Sequence, residues 1–208
     1  MYSADVVEPT AGEPRSPLNL VVLALLHEES MHPYRMQKLI SERGKDEVVN
    51  IRSRNSVQQA VGRLERDGLI TAESTEREGN YPPRTVYAIT EAGREQLRGT
   101  LRRMLATPAR EYPAFPAALS LMAVLPPRTA AKLLRQRRAE LSEQLEHLVA
   151  STEQDPSLPR ILLIEDDYRI AVHRAEIEWL DRTLETLDSG ELTWSPRRLI
   201  AQSYKHER

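Results

Sequence analysis

The apolar residues of the stretch 53–68 recur with the period of an α-helix, and directly after Gly68 the pattern changes to that of β-strands. Its apolar members share one helical face, at i, i+3, i+4 and i+7: Val57, Ala60, Val61 and Leu64. Two runs rich in β-branched and aromatic residues follow at 69–74 and 84–89, and turn-forming residues separate them at 78–83. This order of an amphipathic helix and a β-hairpin restricts the folds that the chain can adopt.

Further helices are predicted on both sides of this segment. Ser16-Pro17 begins the first, because Ser caps free backbone N–H groups and Pro fits the first helical turn. His32-Pro33 begins the second in a similar manner, and Thr90 begins a fourth helix after the hairpin. We therefore expect a mainly α fold in which residues 16–107 form a winged helix-turn-helix domain.

The polar side of the central helix carries amide and guanidinium groups, and residues 51–66 hold four arginines against one glutamate. Asn and Gln can pair with adenine, and Arg with guanine, in the DNA major groove. The hairpin tip of such a domain contacts the DNA backbone or minor groove. The residues predicted to contact double-stranded DNA are Arg52, Arg54, Asn55, Ser56, Gln58, Gln59, Arg63, Arg77, Tyr81 and Arg84. Taken alone, the helix fits an ordinary solvated surface equally well, because Gln and Arg are good surface helix formers.

Four segments in this order resemble the PadR-like transcriptional regulators. They are Leu23-Ala24-Leu25-Leu26, Met31-His32-Pro33-Tyr34, the run GRLERDGLI at 62–70 and the run RTVYAITEAGR at 84–94. The resemblance covers about residues 16–105 well and the remainder more loosely. It implies a winged-helix DNA-binding domain followed, in the longer subfamily, by a helical dimerisation domain. It also implies a small aromatic or drug-like effector that releases the DNA.

Three positions depart from the residues that are common in this family. Pro33 stands where Gly is common and Gln58 where Tyr is common, and a Lys or similar residue is common near the position of Gly62. Pro33 is expected to stiffen the start of the second helix. A Gly inside a helix costs roughly 0.5–1 kcal/mol relative to Ala. Gly62 is therefore interpreted either as a point of close backbone approach or as a tolerated flaw.

A second, helical domain is predicted over residues 108–189, with a linker at 112–116 and a short apolar helix at 117–125. Its last long helix carries the clearest repeat in the sequence, an a/d heptad pattern that includes His173. The residues predicted to form a homodimer through this pattern are Leu163, Ile170, Ile177, Leu180, Leu184 and Leu187. The alternative is an antiparallel hairpin within one chain, which uses the same residues as its core.

Effector contacts are implied by the resemblance at four positions: Phe115, Met122, Tyr168 and Trp179. Core packing explains large apolar and aromatic side chains of this kind equally well. The sequence shows no catalytic constellation, because cysteine is absent and the five histidines are scattered. We therefore expect no enzyme activity, no cofactor and no metal site.

The termini are predicted to be tails, flexible at 1–15 and of weak periodicity at 190–208. The first tail lacks the basic start and apolar core of a signal peptide. The longest apolar stretch, 18–26, is too short to span a bilayer, so we expect a cytoplasmic protein without membrane contact.

The predicted function is a dimeric repressor released from its operator by a small molecule. The alternative is a winged-helix module that binds another protein instead of DNA. Residues 1–105 keep this alternative open, because their 15 basic and 15 acidic side chains balance.

Overall fold

The computed structural model describes residues 16–49, 51, 55–76, 84–153 and 157–196. The chain divides into two compact units, residues 1–110 and 111–208. Within its described residues, the first unit contains the elements α1 (Pro17–Glu28), α2 (Pro33–Glu42), α3 (Ser56–Arg66), β1 (Ile70–Glu76), β2 (Arg84–Ile89) and α4 (Glu91–Ala106). This order confirms the predicted winged helix-turn-helix.

Side-chain caps fix where the first two helices begin. The backbone N–H of Leu18 donates to Oγ of Ser16 at 3.3 Å, and Pro17 occupies the first turn of α1. The backbone N–H of Arg35 donates to Nδ1 of His32 at 3.2 Å, which caps α2 in the same way. Both predicted helix starts are confirmed.

The core of the first unit lies where α1, α2, α3 and β1 meet. Its largest fully buried side chains come from all four elements: Leu23, Met36, Ile40, Leu64 and Ile70. Burying a side chain of this size stabilises a fold by about 1.5–3 kcal/mol. On α3, the four residues predicted to face inward are at most 2% exposed, which confirms the predicted orientation of this helix.

The hairpin is antiparallel and is connected to the segment before α2. Ile70 pairs with Ile89 and Ala72 with Tyr87, and the register shifts between Ala72 and Ser74. Tyr87 also forms a bridge with Met31, in which each backbone N–H donates to the other residue's carbonyl oxygen at 3.1 Å. This bridge fixes the hairpin against the helix-turn-helix.

The start of α4 packs directly on the residues that connect α3 to β1. The hydroxyl of Thr90 donates to the carbonyl oxygen of Gly68 at 2.9 Å and accepts from the backbone N–H of Gly93 at 3.0 Å. A Cβ at Gly93 would overlap the carbonyl oxygen of Leu69 and lie 2.8 Å from Cγ1 of Ile89. Glycine is therefore required at position 93 for close packing.

The second unit is helical in its described residues. Its elements are α5 (Ala114–Ser120), a 3₁₀ turn at Met122–Val124, α6 (Pro127–Glu153), a second 3₁₀ turn at Arg160–Leu162, and α7 (Ile164–Asp188). The predicted linker at 112–116 is partly wrong, since α5 already begins at Ala114. Pro116 lies in the first turn of α5, where backbone N–H groups lack helical acceptors and Pro is tolerated.

Helices α6 and α7 pack as an antiparallel pair. Leu134 and Leu141 of α6 are buried with Leu180 and Leu184 of α7 in one cluster. Ion pairs connect the two helices along the same contact. As the residue number increases along α6, the number of its partner on α7 decreases. These pairs are Arg135 with Asp188, and Arg138 with Asp181 at 2.9 Å.

The described part of the predicted C-terminal tail folds back onto the second unit. The indole N–H of Trp194 donates to the carbonyl oxygen of Leu125 at 2.8 Å. The backbone N–H of Leu192 donates to the carbonyl oxygen of Thr186 at 2.9 Å. Residues 190–196 are therefore attached to the helices and do not form a free tail. The weak helical periodicity of this segment did not indicate whether it contacts the helices.

Within the described ranges, every helix is too short or too polar to cross a lipid bilayer.

We expect Gly93→Ala to lower the free energy of unfolding by about 1–3 kcal/mol, because its methyl group has no space against the backbone. Gly99→Ala is the matched control in the same helix, since no described atom lies within 4 Å of its Cβ. The control should raise the free energy of unfolding by about 0.5–1 kcal/mol. Urea denaturation of both variants measures the difference, and equal effects would contradict the packing described for α4.

Candidate nucleic-acid interface

The outward side of α3 is the candidate interface. Its exposed residues, with the residue that precedes the helix, are Asn55, Gln58, Gln59, Glu65 and Arg66. Ser56, Gly62 and Arg63 are half-buried on the same helix. The first half of the helix thus presents neutral amide groups, whereas the charged residues are concentrated in the second half.

The half-buried side chain of Arg63 reaches α1. Its Nη2 donates to Oδ1 of Asn19 at 3.3 Å, and Asn19 is 4% exposed. A buried amide oxygen needs a donor, so this hydrogen bond connects α3 to α1 at a polar point in an apolar contact. Arg63 therefore positions α3, and its predicted contact with DNA stays a prediction.

Glu65 is paired with the hairpin. Burial raises the pKa of the Tyr87 hydroxyl, and the charge of the Glu65 carboxylate and its hydrogen bond from that hydroxyl raise the pKa further. Tyr87 also forms the backbone bridge to Met31. One residue of β2 therefore connects the hairpin both to α3 and to the start of α2.

Arg66 folds back along its own helix. Its Nε donates to the carbonyl oxygen of Gly62 at 3.1 Å. A Cβ added at Gly62 would meet no described atom within 4 Å, so no close approach to a described residue explains the glycine.

Two ion pairs hold α2 beside α1. Arg43 donates to Glu28 at 2.8 Å, and Arg35 donates to Glu29 at 2.8 Å. The hydrogen bond from Arg43 lowers the pKa of the Glu28 carboxyl. All four side chains are substantially exposed, so each pair contributes little to stability.

Several predicted DNA contacts cannot be placed in this interface. Arg52, Arg54, Arg77 and Tyr81 lie outside the described residues, and Arg84 begins β2 with its side chain outside the description. Asn19 and Tyr87, by contrast, are interface-supporting residues that were not predicted. An Asn within the apolar run of α1 was the available signal for the first, and nothing in the sequence pattern indicated the second.

The predicted effector residues separate into two groups. Phe115 and Trp179 meet edge to face with ring centroids 6.1 Å apart, and Met122 packs in the same cluster. The guanidinium of Arg137 lies 3.6 Å from the centroid of the Phe115 ring and donates to Glu176 at 2.6 Å. Tyr168 belongs to neither contact; it is 71% exposed on α7.

The predicted dimer residues contribute mainly to the core of their own chain. Leu180 has no exposed surface, Leu184 and Ile170 are buried, and Ile177 and Leu187 pack on the same cluster. The intramolecular hairpin that the sequence left open therefore describes Leu180, Leu184 and their neighbours. Leu163, half-buried, lies directly before α7.

Comparisons with known proteins agree with this fold. Residues 22–99 match the model of the "Transcriptional regulator PadR-like family", and residues 118–188 match the model "Virulence activator alpha C-term". Residues 22–99 are therefore a domain of the PadR-like type, and residues 118–188 are similar to the C-terminal domain of virulence activators. No curated protein matches it.

Solved structures of such regulators share the fold. The Vibrio cholerae virulence activator AphA superposes with a TM-score of 0.64 at 22% identity, over 83% of this chain and 98% of that chain. Bacillus subtilis PadR in complex with operator DNA superposes with a TM-score of 0.62 at 18% identity, over 82% of this chain and 98% of that chain. The same PadR in complex with p-coumaric acid superposes with a TM-score of 0.66 at 18% identity, again over 82% of this chain and 98% of that chain.

We expect Tyr87→Phe to lower the free energy of unfolding by about 1 kcal/mol at neutral pH, because the partly buried hydroxyl loses its interaction with the Glu65 carboxylate. The raised pKa means that the folded state holds the phenol proton more tightly than the unfolded state. This stabilisation is complete below the unfolded tyrosine pKa of about 10 and is lost as the pH rises through the folded pKa. Urea denaturation should therefore show the difference between wild type and variant shrinking above about pH 10. A pH-independent difference would contradict the raised pKa of the Tyr87 hydroxyl.

Proposed function

We propose that this chain regulates transcription by binding operator DNA as a homodimer, with α3 as the recognition helix. The single observation that carries the proposal is the outward face of α3. Its first turns present Asn55, Gln58 and Gln59 to solvent, while its apolar face is buried in the domain core. The B. subtilis PadR structure in complex with operator DNA supports the proposal, since it has the same fold.

The exposed amides suit base recognition in the major groove. Each amide can both donate and accept a hydrogen bond, and the pair of groups matches the edge of adenine. Recognition helices commonly contact base edges with their N-terminal residues, which is where these amides lie on α3. The hairpin that follows α3 is proposed to contact the DNA backbone.

A second copy of the chain is the proposed partner of the apolar residues that α7 leaves outward. Ile164, Tyr168 and Val172 recur every four residues on this helix and are 54%, 71% and 44% exposed. They lie apart from the stripe that packs on α6, so α7 can contact its own chain and a partner at once. Two copies present two recognition helices, which a two-fold operator requires about 34 Å apart.

The second proposed partner is a small aromatic acid whose binding releases the DNA. The regulator is accordingly proposed to be a repressor. The support is the contact among Phe115, Trp179 and Arg137, which combines aromatic faces with a cation. The B. subtilis PadR structure in complex with p-coumaric acid is consistent with this class of ligand. A thermal-shift titration with p-coumaric acid tests the proposal: wild type should be stabilised, and Arg137→Gln should respond less.

The alternative is a winged-helix module that docks another protein through the polar face of α3. The balanced charge of residues 1–105 is the observation that keeps it open. Selection of bound duplexes from a genomic library distinguishes the two functions, because a protein-docking module recovers no specific sequence.

Gln58→Ala and Gln59→Ala are each expected to weaken binding to a selected duplex by about 1–3 kcal/mol. Gln144→Ala is the matched control, since Gln144 is an equally exposed amide on α6 of the other unit. Electrophoretic mobility shift at several salt concentrations measures the change. Binding by wild type should weaken steeply with salt, whereas unchanged affinity in both α3 variants would move the base contacts to another surface.

Tyr168→Glu is expected to shift a dimer towards monomer, because it buries a charge in the proposed apolar contact. Ala139→Glu is the control, since it adds the same charge to an exposed position of α6 among polar neighbours. Sedimentation equilibrium measures the association constant of both. A dimer that tolerates Tyr168→Glu as well as the control would exclude this face of α7.

A further inference from the structure

Gly62 lies on the outward side of α3, one turn after Gln58 and Gln59. Glycine in a helix interior lowers helix stability relative to alanine, because it adds backbone freedom to the unfolded chain. A glycine in the middle of a recognition helix therefore needs a compensating reason or is a defect.

The described residues of this chain supply no such reason. Gly62 is not among the glycines with positive φ, which are Gly44, Gly68 and Gly190. An added Cβ meets no described atom within 4 Å. Gly93 shows the contrast, since its Cβ would overlap the backbone of Leu69.

The charged side chains next to Gly62 on α3 do not project outward over it. Arg63 turns aside to Asn19, and Glu65 pairs with Tyr87. Arg66 bends back so that its Nε meets the carbonyl oxygen of Gly62 at 3.1 Å. The charged side chains of the second half of α3 thus have partners within the protein, and between them lies the half-buried Gly62, which has no side chain of its own.

We propose that Gly62 is a specificity-determining position at which the backbone of α3 makes its closest approach to DNA in the major groove. The inference rests on the proposed DNA-binding function. Because Gly62 has no side chain, α3 can approach the floor of the major groove more closely there. The side-chain amides of Gln58 and Gln59 then reach the base edges. Gly62 itself contributes no side-chain contact; it sets the depth of its neighbours.

The size of the expected effect follows from hydrogen-bond geometry. A methyl group in place of hydrogen adds roughly 1–2 Å at the point of contact. A hydrogen bond of about 2.9 Å is lost when its atoms separate beyond about 3.5 Å. A single methyl group is therefore sufficient to remove base contacts from the neighbouring amides, while phosphate attraction, which acts over a longer range, largely persists.

The test compares Gly62→Ala, Gly62→Leu and Gly99→Ala in the full chain. Gly99 is an exposed helical glycine on α4 whose Cβ also meets no described atom within 4 Å. Urea midpoints of Gly62→Ala and Gly99→Ala should both rise, which shows that neither change damages the fold. The binding probes are a duplex that wild type recovers from a genomic library and a scrambled duplex of equal length and composition.

Gly62→Ala should lose about tenfold or more in affinity for the recovered duplex and Gly62→Leu should lose still more. Binding to the scrambled duplex should change by about twofold or less, because it depends on phosphate contacts. Gly99→Ala should bind both duplexes as wild type does. Retention of wild-type selectivity by Gly62→Ala overturns the inference about Gly62 while leaving the DNA-binding function intact. Failure of wild type to prefer any duplex overturns the function itself and the inference with it.

Discussion

The position of α3 depends on the burial of four apolar side chains along one of its faces. Val57, Ala60, Val61 and Leu64 are at most 2% exposed in a core shared with α1, α2 and β1. Because helical geometry fixes the opposite side once one face is buried, this contact decides which groups the helix presents to solvent. The amides of the first turns face outward because the burial of the apolar face directs the opposite face of α3 to solvent.

Polar contacts then refine an orientation that apolar packing leaves approximate. The Arg63–Asn19 hydrogen bond fixes α3 against α1, and the Glu65 carboxylate of α3 interacts with the Tyr87 hydroxyl of the hairpin. Both use charged residues of the second half of α3, so that half serves the fold more than a ligand. The first half keeps its amides exposed, so the helix divides into a part that anchors it and a part that carries the proposed base contacts.

Patterns local in sequence predicted most of the fold, whereas partners distant in sequence were not predictable. Ser16 and His32 marked helix starts correctly because a cap depends on residues two or three positions away. The hydrogen bond between Arg63 and Asn19 was not predicted because the two residues lie 44 positions apart. Leu180 fits a heptad whether its partner helix belongs to the same chain or to another, and periodicity alone cannot decide between them.

The central claim is that α3 enters the major groove, and affinity cleavage tests it most directly. The chain has no cysteine, so Gln58→Cys can carry a single iron–EDTA group. Bound to a recovered duplex, this variant should cleave at two positions about 10 base pairs apart, in the pattern of two recognition helices in a dimer. Cleavage no stronger than that from an Ala139→Cys conjugate, under conditions in which both remain bound, would contradict the account.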